Sequence, residues 1–294
     1  MAHTEMVKTR DGREMGISIF NPQKENNSVI VIGQGVMMHQ SDYNVFAEFL
    51  SKSGYPVITF SYRGLDESYW LGPEKANAGM KHWALQDLNT ALLFAKQHFP
   101  KKEIIFLAHG ISGEIAGIAP ASTYINRMIM ISAGLTCAKL RPWRVRMRLS
   151  VMKKLITLLL FFYGYFPGKR IRYLTNIPGG VMRDWVGWCN SENGLFDEFP
   201  DNNYCRLRIP LLSISFEGNS DIPLKAIRAL LARYSAARIR WMHLPDTLLS
   251  DTPNDENAFF NAKFPENLWK MIGDWLESEA SYNGYFNQEE KLAP

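Results

Sequence analysis

Residues 104–117, IIFLAHGISGEIAG, run from an apolar strand through a small-residue turn into a helix. That layout fits Gly-x-Ser-x-Gly, where a serine on a sharp strand-to-helix turn attacks an acyl carbon. Here the five positions are Ala108, His109, Gly110, Ile111 and Ser112, so the apex is Gly110. Glycine keeps the close backbone approach, relieves the dihedral strain a serine apex must bear, and removes the hydroxyl. Shifting the frame to make Ser112 the nucleophile puts Glu114 where a small residue is required and lengthens the strand by two residues. Ser112 fits better in the first turn of the following helix, its hydroxyl serving a free backbone N–H.

A nucleophile also needs a base within hydrogen-bond reach. The histidines are His3, His39, His82, His98, His109 and His243. His3, His82 and His98 fall on an early strand or on a helix and read as surface or packing positions. His243 ends a strand, and His109 beside the apex reads as structural. His39, in the loop after VIGQG, is the pocket-facing candidate. The loop Gln34-Gly35-Val36 follows the third strand, and a backbone N–H of Gly35 or Val36 would pair with that of Ile111 to hold an oxyanion. Cys137, Cys189 and Cys205 are scattered, without metal spacing or a disulfide framework, which fits a reducing cytoplasm. No metal or other cofactor is expected.

Alternating strand and helix patterns must position these groups. EMVKT and EMGISIF flank Asp11-Gly12, a hairpin signal. SVIVIG and EIIFLAH read as buried strands, YPVITFSYRG, RMIMISAG, PLLSISFEG and ARIRWMHL as further strands. Residues 80–100 read as a helix with Leu85, Leu88, Leu92 and Phe94 inward. NLWKMIGDWLESEA closes the pattern as a final helix. These imply a doubly wound, mostly parallel sheet. From Leu135 to Arg208 the alternation breaks into helix and loop without clear strands. An insertion there sits over the carboxyl ends of the strands, where such sheets bind ligands. The expected division is a core of 1–134 and 209–279, a helical lid of 135–208, and a tail of 280–294.

Apolar residues make up 46% of the 294, enough for a sizeable core, and a net charge of +4 does not argue for nucleic acid. The N-terminus has no apolar core of a secretory signal. The longest apolar run, LITLLLFFYGYF, is short of the ~20 residues of a membrane span and is expected to pack as a buried or lid helix, with a membrane-surface role, raised by the basic residues before it, as the weaker option. Trp143, Phe161, Phe162, Tyr163, Trp185 and Trp188 are expected mostly in the lid core, with one or two lining a ligand. The basic run Lys139, Arg141, Arg144, Arg146, Arg148, Lys153, Lys154, Lys169, Arg170 and Arg172 reads first as a solvated face and second as an attractor of an anionic ligand.

The segments GYPVITFSYRGLDES, FYGYFPGKRI, IPGGVMRDWVGWC and FPENLWKMIGDWL together resemble a bacterial family of predicted α/β hydrolases, over about residues 5 to 277. The resemblance implies the α/β-hydrolase fold, with a mostly parallel eight-stranded sheet and a helical lid inserted after strand six. It places the serine at Gly110, the acid at Gly218 or Asn219, and the histidine at Glu256, so all three triad positions are changed. Losing the serine or histidine of such a triad costs about 10⁶ in turnover. The resemblance therefore implies a degenerate hydrolase that binds a small acyl or carbonyl ligand, or a protein partner, with a homodimer left open. The alternative is repurposed chemistry (proton transfer, elimination, cyclisation or isomerisation) with Glu256 or Asp221 as base and the backbone N–H pair as electrophile. A hydrolase using Ser112 or His243 is the weakest reading.

Overall fold

The computed structural model describes residues 3–36, 38–65, 78–171, 175–219, 221–245, 259–260 and 266–280. Glu256 and the tail 281–294 lie outside them. The chain opens with the expected hairpin, β1 (His3–Lys8) antiparallel to β2 (Glu14–Phe20), turning at Gly12 with φ +80°. There follow β3 (Ser28–Gly33), α1 (Asn44–Lys52) and β4 (Val57–Phe60). A continuous helical segment runs from α2 (Met80–His82) through a π turn (Trp83–Leu88) to α3 (Asn89–His98). Next come β5 (Glu103–His109), α4 (Ile111–Ile115) and β6 (Ile125–Ile131).

After β6 the chain builds α5 (Trp143–Tyr163), the short strands β7 (Tyr165–Phe166) and β8 (Ile177–Pro178), and α6 (Gly179–Asn190). It returns through β9 (Pro210–Phe216), α7 (Leu224–Leu231), β10 (Arg238–Leu244) and α8 (Glu266–Ala280). The sheet has eight strands in the order β1-β2-β4-β3-β5-β6-β9-β10, parallel from β4 onward. Alternate side chains of one strand enter opposite layers. Ile104, Phe106 and Ala108 of β5 pack with Trp83 and Leu88, whereas Ile105 and Leu107 pack with Phe46 of α1 and Trp269 of α8. A strand buried on both faces reads as a near-continuous apolar run, as Val29 to Ile32 do in SVIVIG.

The helix over residues 80–98 meets the expectation in part. Leu85 and Phe94 are only half-buried, and the inward face is Trp83, Ala84, Asp87, Leu88, Ala91, Leu92 and Ala95. The stripe keeps its spacing of three and four through the π turn, with Leu88 and Leu92 inward as expected, and Leu85 and Phe94 pack against the same core from its margins. Asp87 enters the core because Arg63 meets it there. Arg63 Nε donates to Asp87 at 2.8 Å, and Nη1 donates to Asp11 of the hairpin turn at 2.6 Å. The hydrogen bond from Arg63 lowers Asp11 to about 2, while burial pushes Asp87 up to about 6 against the pull of Arg63.

Three expectations for residues 135–208 are corrected. The region contains strands, the antiparallel pair β7–β8. The run LITLLLFFYGYF is not a buried helix: α5 stops at Gly164, and Leu155, Leu158, Phe161 and Phe162 are exposed. Trp143 and Tyr163 are exposed too, so of the six aromatics Trp188 is the one fully in the core and Trp185 is half-buried. Only one face of α5, carrying Leu149 and Ile156, reaches the body of the protein.

Candidate functional site

Strand β5 ends at His109 and α4 starts at Ile111, so Gly110 makes the whole turn, with φ +51° and ψ −114°. Residues with a Cβ rarely adopt that conformation. Its N–H donates to the Ile131 carbonyl at 2.9 Å, which fixes the turn against the end of β6. Among the described residues, a Cβ on Gly110 would meet the Ser132 carbonyl oxygen at 3.9 Å, an ordinary contact, so the turn has room for a side chain. Gly35 is different, since a Cβ there would lie 2.8 Å from His109 Nδ1. The loop after β3 can therefore press on the elbow only as glycine.

Two buried hydroxyl relays lock this turn. Ser112 Oγ donates to the Gln34 carbonyl at 2.7 Å and so accepts the Tyr62 hydroxyl at 2.8 Å. The serine sits in the first turn of α4 as expected, but it is fully buried and serves a carbonyl and a phenol rather than a free N–H. Tyr43 Oη accepts the Gly35 N–H at 2.8 Å and shares a hydrogen bond of 2.7 Å with His109 Nδ1, whose direction follows the imidazole tautomer. Burial lowers the His109 pKa to about 3, so the ring stays neutral. The Gly35 N–H is thereby committed to Tyr43. Of the expected oxyanion donors, half-buried Val36 and Ile111 at the start of α4 remain.

Beyond β9, Glu217 is exposed and its N–H donates to the Leu244 carbonyl at 2.8 Å. Gly218 turns with φ +75°. Asn219 Oδ1 accepts the N–H groups of Asp221 and Ile222, each at 3.0 Å, and so shapes the turn into α7. Asp221 faces solvent and pairs with Arg148. Phe259 and Phe260, which follow Glu256 in sequence, are buried, with the Phe260 ring 4.7 Å from His109 and 4.6 Å from Tyr43. His39 is half-buried and its N–H donates to Asp42 at 2.7 Å. His243 is exposed, with Nδ1 2.9 Å from Ser215 Oγ, which also accepts Trp241 Nε1–H at 2.8 Å.

Gln34 enters the sequence analysis only through its loop, and Ser132 not at all, yet both side chains stand out in the structure. Gln34 follows β3 and Ser132 follows β6, the strands on either side of β5, so they flank Gly110. Both are buried, and Ser132 has φ +50°. Gln34 Nε2 donates to the Met38 carbonyl at 3.0 Å, but Gln34 Oε1 and Ser132 Oγ are buried polar atoms without a protein partner. Among the described residues only Gln86 Oε1 shares that condition. Their signal in the sequence was polarity at the carboxyl ends of adjacent strands, where sheets of this kind bind ligands. Deeper, the Glu114 carboxyl accepts the Thr136 N–H at 2.5 Å and its hydroxyl at 2.6 Å, and burial pushes its pKa up to about 7. Two shallow grooves, of about 390 and 290 Å³, follow α6, and neither is lined by Gly110, Val36 or Ile111. No group of acidic, histidine or cysteine side chains among the described residues has a metal-holding arrangement.

The eight-stranded sheet, with a glycine-apex elbow after β5, superposes on solved structures along almost its whole length. The fold is that of the α/β hydrolases. An esterase of Pyrococcus furiosus shares 13% identity, with 95% of this chain and 91% of that chain covered and a TM-score of 0.62. A soluble variant of monoglyceride lipase from Saccharomyces cerevisiae shares 14%, with 95% of each chain covered and a TM-score of 0.65. An esterase of Thermogutta terrifontis shares 15%, covering 99% of this chain and 95% of that chain, with a TM-score of 0.57. At such identities the likeness is one of fold. No family model and no curated protein matches the sequence.

Proposed function

We propose that this α/β-hydrolase-fold chain does not hydrolyse esters and instead binds a small acyl or carbonyl compound in front of Gly110. One observation carries the reading: Gln34 and Ser132, at the ends of the strands on either side of the Gly110 turn, each keep a buried polar atom, Oε1 and Oγ, without a protein partner. Leaving such atoms unpaired costs about 1–3 kcal/mol each, so a group that pairs with them is favoured. Ser132 can donate to a carbonyl oxygen, and Gln34 Oε1 accepts from an N–H or O–H. In this reading the N–H groups of Val36 and Ile111 add to the first contact. In this reading residues 135–208 form the lid, and the positions Gly110, Gly218 or Asn219, and Glu256 are the vestiges of a triad. Repurposed acid–base chemistry has less support, because Asp221 faces solvent and pairs with Arg148.

Calorimetric titration with short-chain carboxylic acids and their amides tests the proposal, with Ser132→Ala as the informative variant. Removing an unpartnered buried hydroxyl leaves the protein at least as stable as before. The expected result is unchanged or raised thermal stability with affinity about tenfold weaker. Turnover of p-nitrophenyl butyrate, or covalent labelling by a fluorophosphonate, overturns the non-hydrolytic reading. Binding unaffected by Ser132→Ala overturns the site.

A further inference from the structure

Helix α5 is apolar on two faces, and only one of them is covered. Leu149 and Ile156 face the body of the protein. On the opposite side Trp143, Met147, Val151, Leu155, Leu158 and Phe162 recur at spacings of three or four residues and form one stripe. All six are exposed, with Trp143 at 64%, Val151 at 70% and neighbouring Phe161 at 82%. An apolar patch of this length is unusual on a free surface and marks an interaction site.

The charges on the helix decide what covers it. Residues 143–163 contain Arg144, Arg146, Arg148, Lys153 and Lys154 and no acidic residue. By the helical period Arg148 borders the stripe on one side and Arg146 and Lys153 on the other, while exposed Arg144 and Lys154 rise within it, where long side chains can carry their charge up to the headgroups. Arg148 pairs with Asp221, Lys153 donates to Asn190, and Arg144 lies over the Trp143 ring at 5.4 Å. Just past the helix, Arg170 lies over the Tyr163 ring at 5.2 Å, beside exposed Lys169. An isologous contact with a second copy would bring the two basic borders together, which like-charge repulsion opposes. Aromatic residues at both ends of the stripe, aliphatic ones between, and basic borders match an interfacial helix that lies flat on anionic lipid. No helix among the described residues is long and apolar enough to cross a membrane, α5 included.

We propose that α5 is a membrane-surface anchor: its stripe enters the headgroup–acyl boundary of an anionic bilayer while the lysines and arginines sit on the headgroups. The proposal stands apart from ligand binding at Gly110 and does not depend on it. The test is flotation of the full-length chain with vesicles of phosphatidylcholine alone and of phosphatidylcholine mixed with phosphatidylglycerol. The expected result is binding to the mixed vesicles at least about tenfold tighter than to the neutral ones, weakening with added salt. Phe161→Ser/Phe162→Ser should lose at least about tenfold in that binding. These rings are exposed, so an unchanged melting curve is expected alongside. Absence of vesicle binding at low salt, or equal binding by the double variant, overturns the proposal. So does a dimer that the double variant dissolves while neither protein binds vesicles, which would make the stripe a contact between copies.

Discussion

Gly110, Ser112 and Glu114 lie within five residues and make different predictions. A Ser at 110 fits sterically but must adopt φ +51°. Gly110→Ser is expected to cost about 1–2 kcal/mol in urea unfolding and to gain no ester hydrolysis in a p-nitrophenyl assay, because no base is paired with it. Ser112→Ala leaves the Gln34 carbonyl and the Tyr62 hydroxyl without their shared partner, a loss of about 1–3 kcal/mol. Glu114 reports on pH. Its pKa rises from 4.5 to about 7 on folding, so the folded state holds a proton that the unfolded chain releases in that interval. Its contribution is complete below 4.5 and lost as pH rises through 7. His109 works the other way: its pKa falls from 6.5 to about 3, so its contribution is complete above 6.5 and lost as pH falls. Unfolding free energies between about pH 5 and about pH 8 should decline for the parent relative to Glu114→Gln, by on the order of 1–3 kcal/mol. Parallel curves would show that Glu114 does not take up a proton on folding.

The strands were legible because two-sided burial leaves a continuous apolar run, as in SVIVIG and EIIFLAH, and because Asp11-Gly12 announces its turn. Helix orientation was harder to read. Over residues 80–98 the large apolar Leu85 and Phe94 lie at the margin of the stripe while small Ala84, Ala91 and Ala95 lie within it, and Asp87 was not recognised as a core residue because nothing local shows that Arg63 meets it. With Arg63 it now carries a prediction. Asp87→Asn is expected to cost about 3 kcal/mol in urea unfolding, since it strips a buried guanidinium of its buried partner. Asp11→Asn should cost less, because Asp11 is partly solvated. Helix α5 was misread for another reason: a sequence apolar on both faces does not say which face is covered. At the candidate site the small-residue pattern made the glycine apex legible. The commitment of the Gly35 N–H to Tyr43 and the unpaired atoms of Gln34 and Ser132 were not, because both depend on what the fold brings against them.

Across the whole molecule, chain order matters as well as contact. The β1–β2 hairpin is local and can pair as soon as Phe20 is made, yet its place in the sheet is beside β4. The fork of Arg63 between Asp11 and Asp87 fastens its turn to the helical layer, joining residues 52 and 24 positions apart. A ribosome delivers these groups in order, and the fastening needs the last of them. Pairing of β2 with β4 needs the chain only as far as Phe60, but the turn of the hairpin gains its tie to the helical layer only once Asp87 has left the exit tunnel.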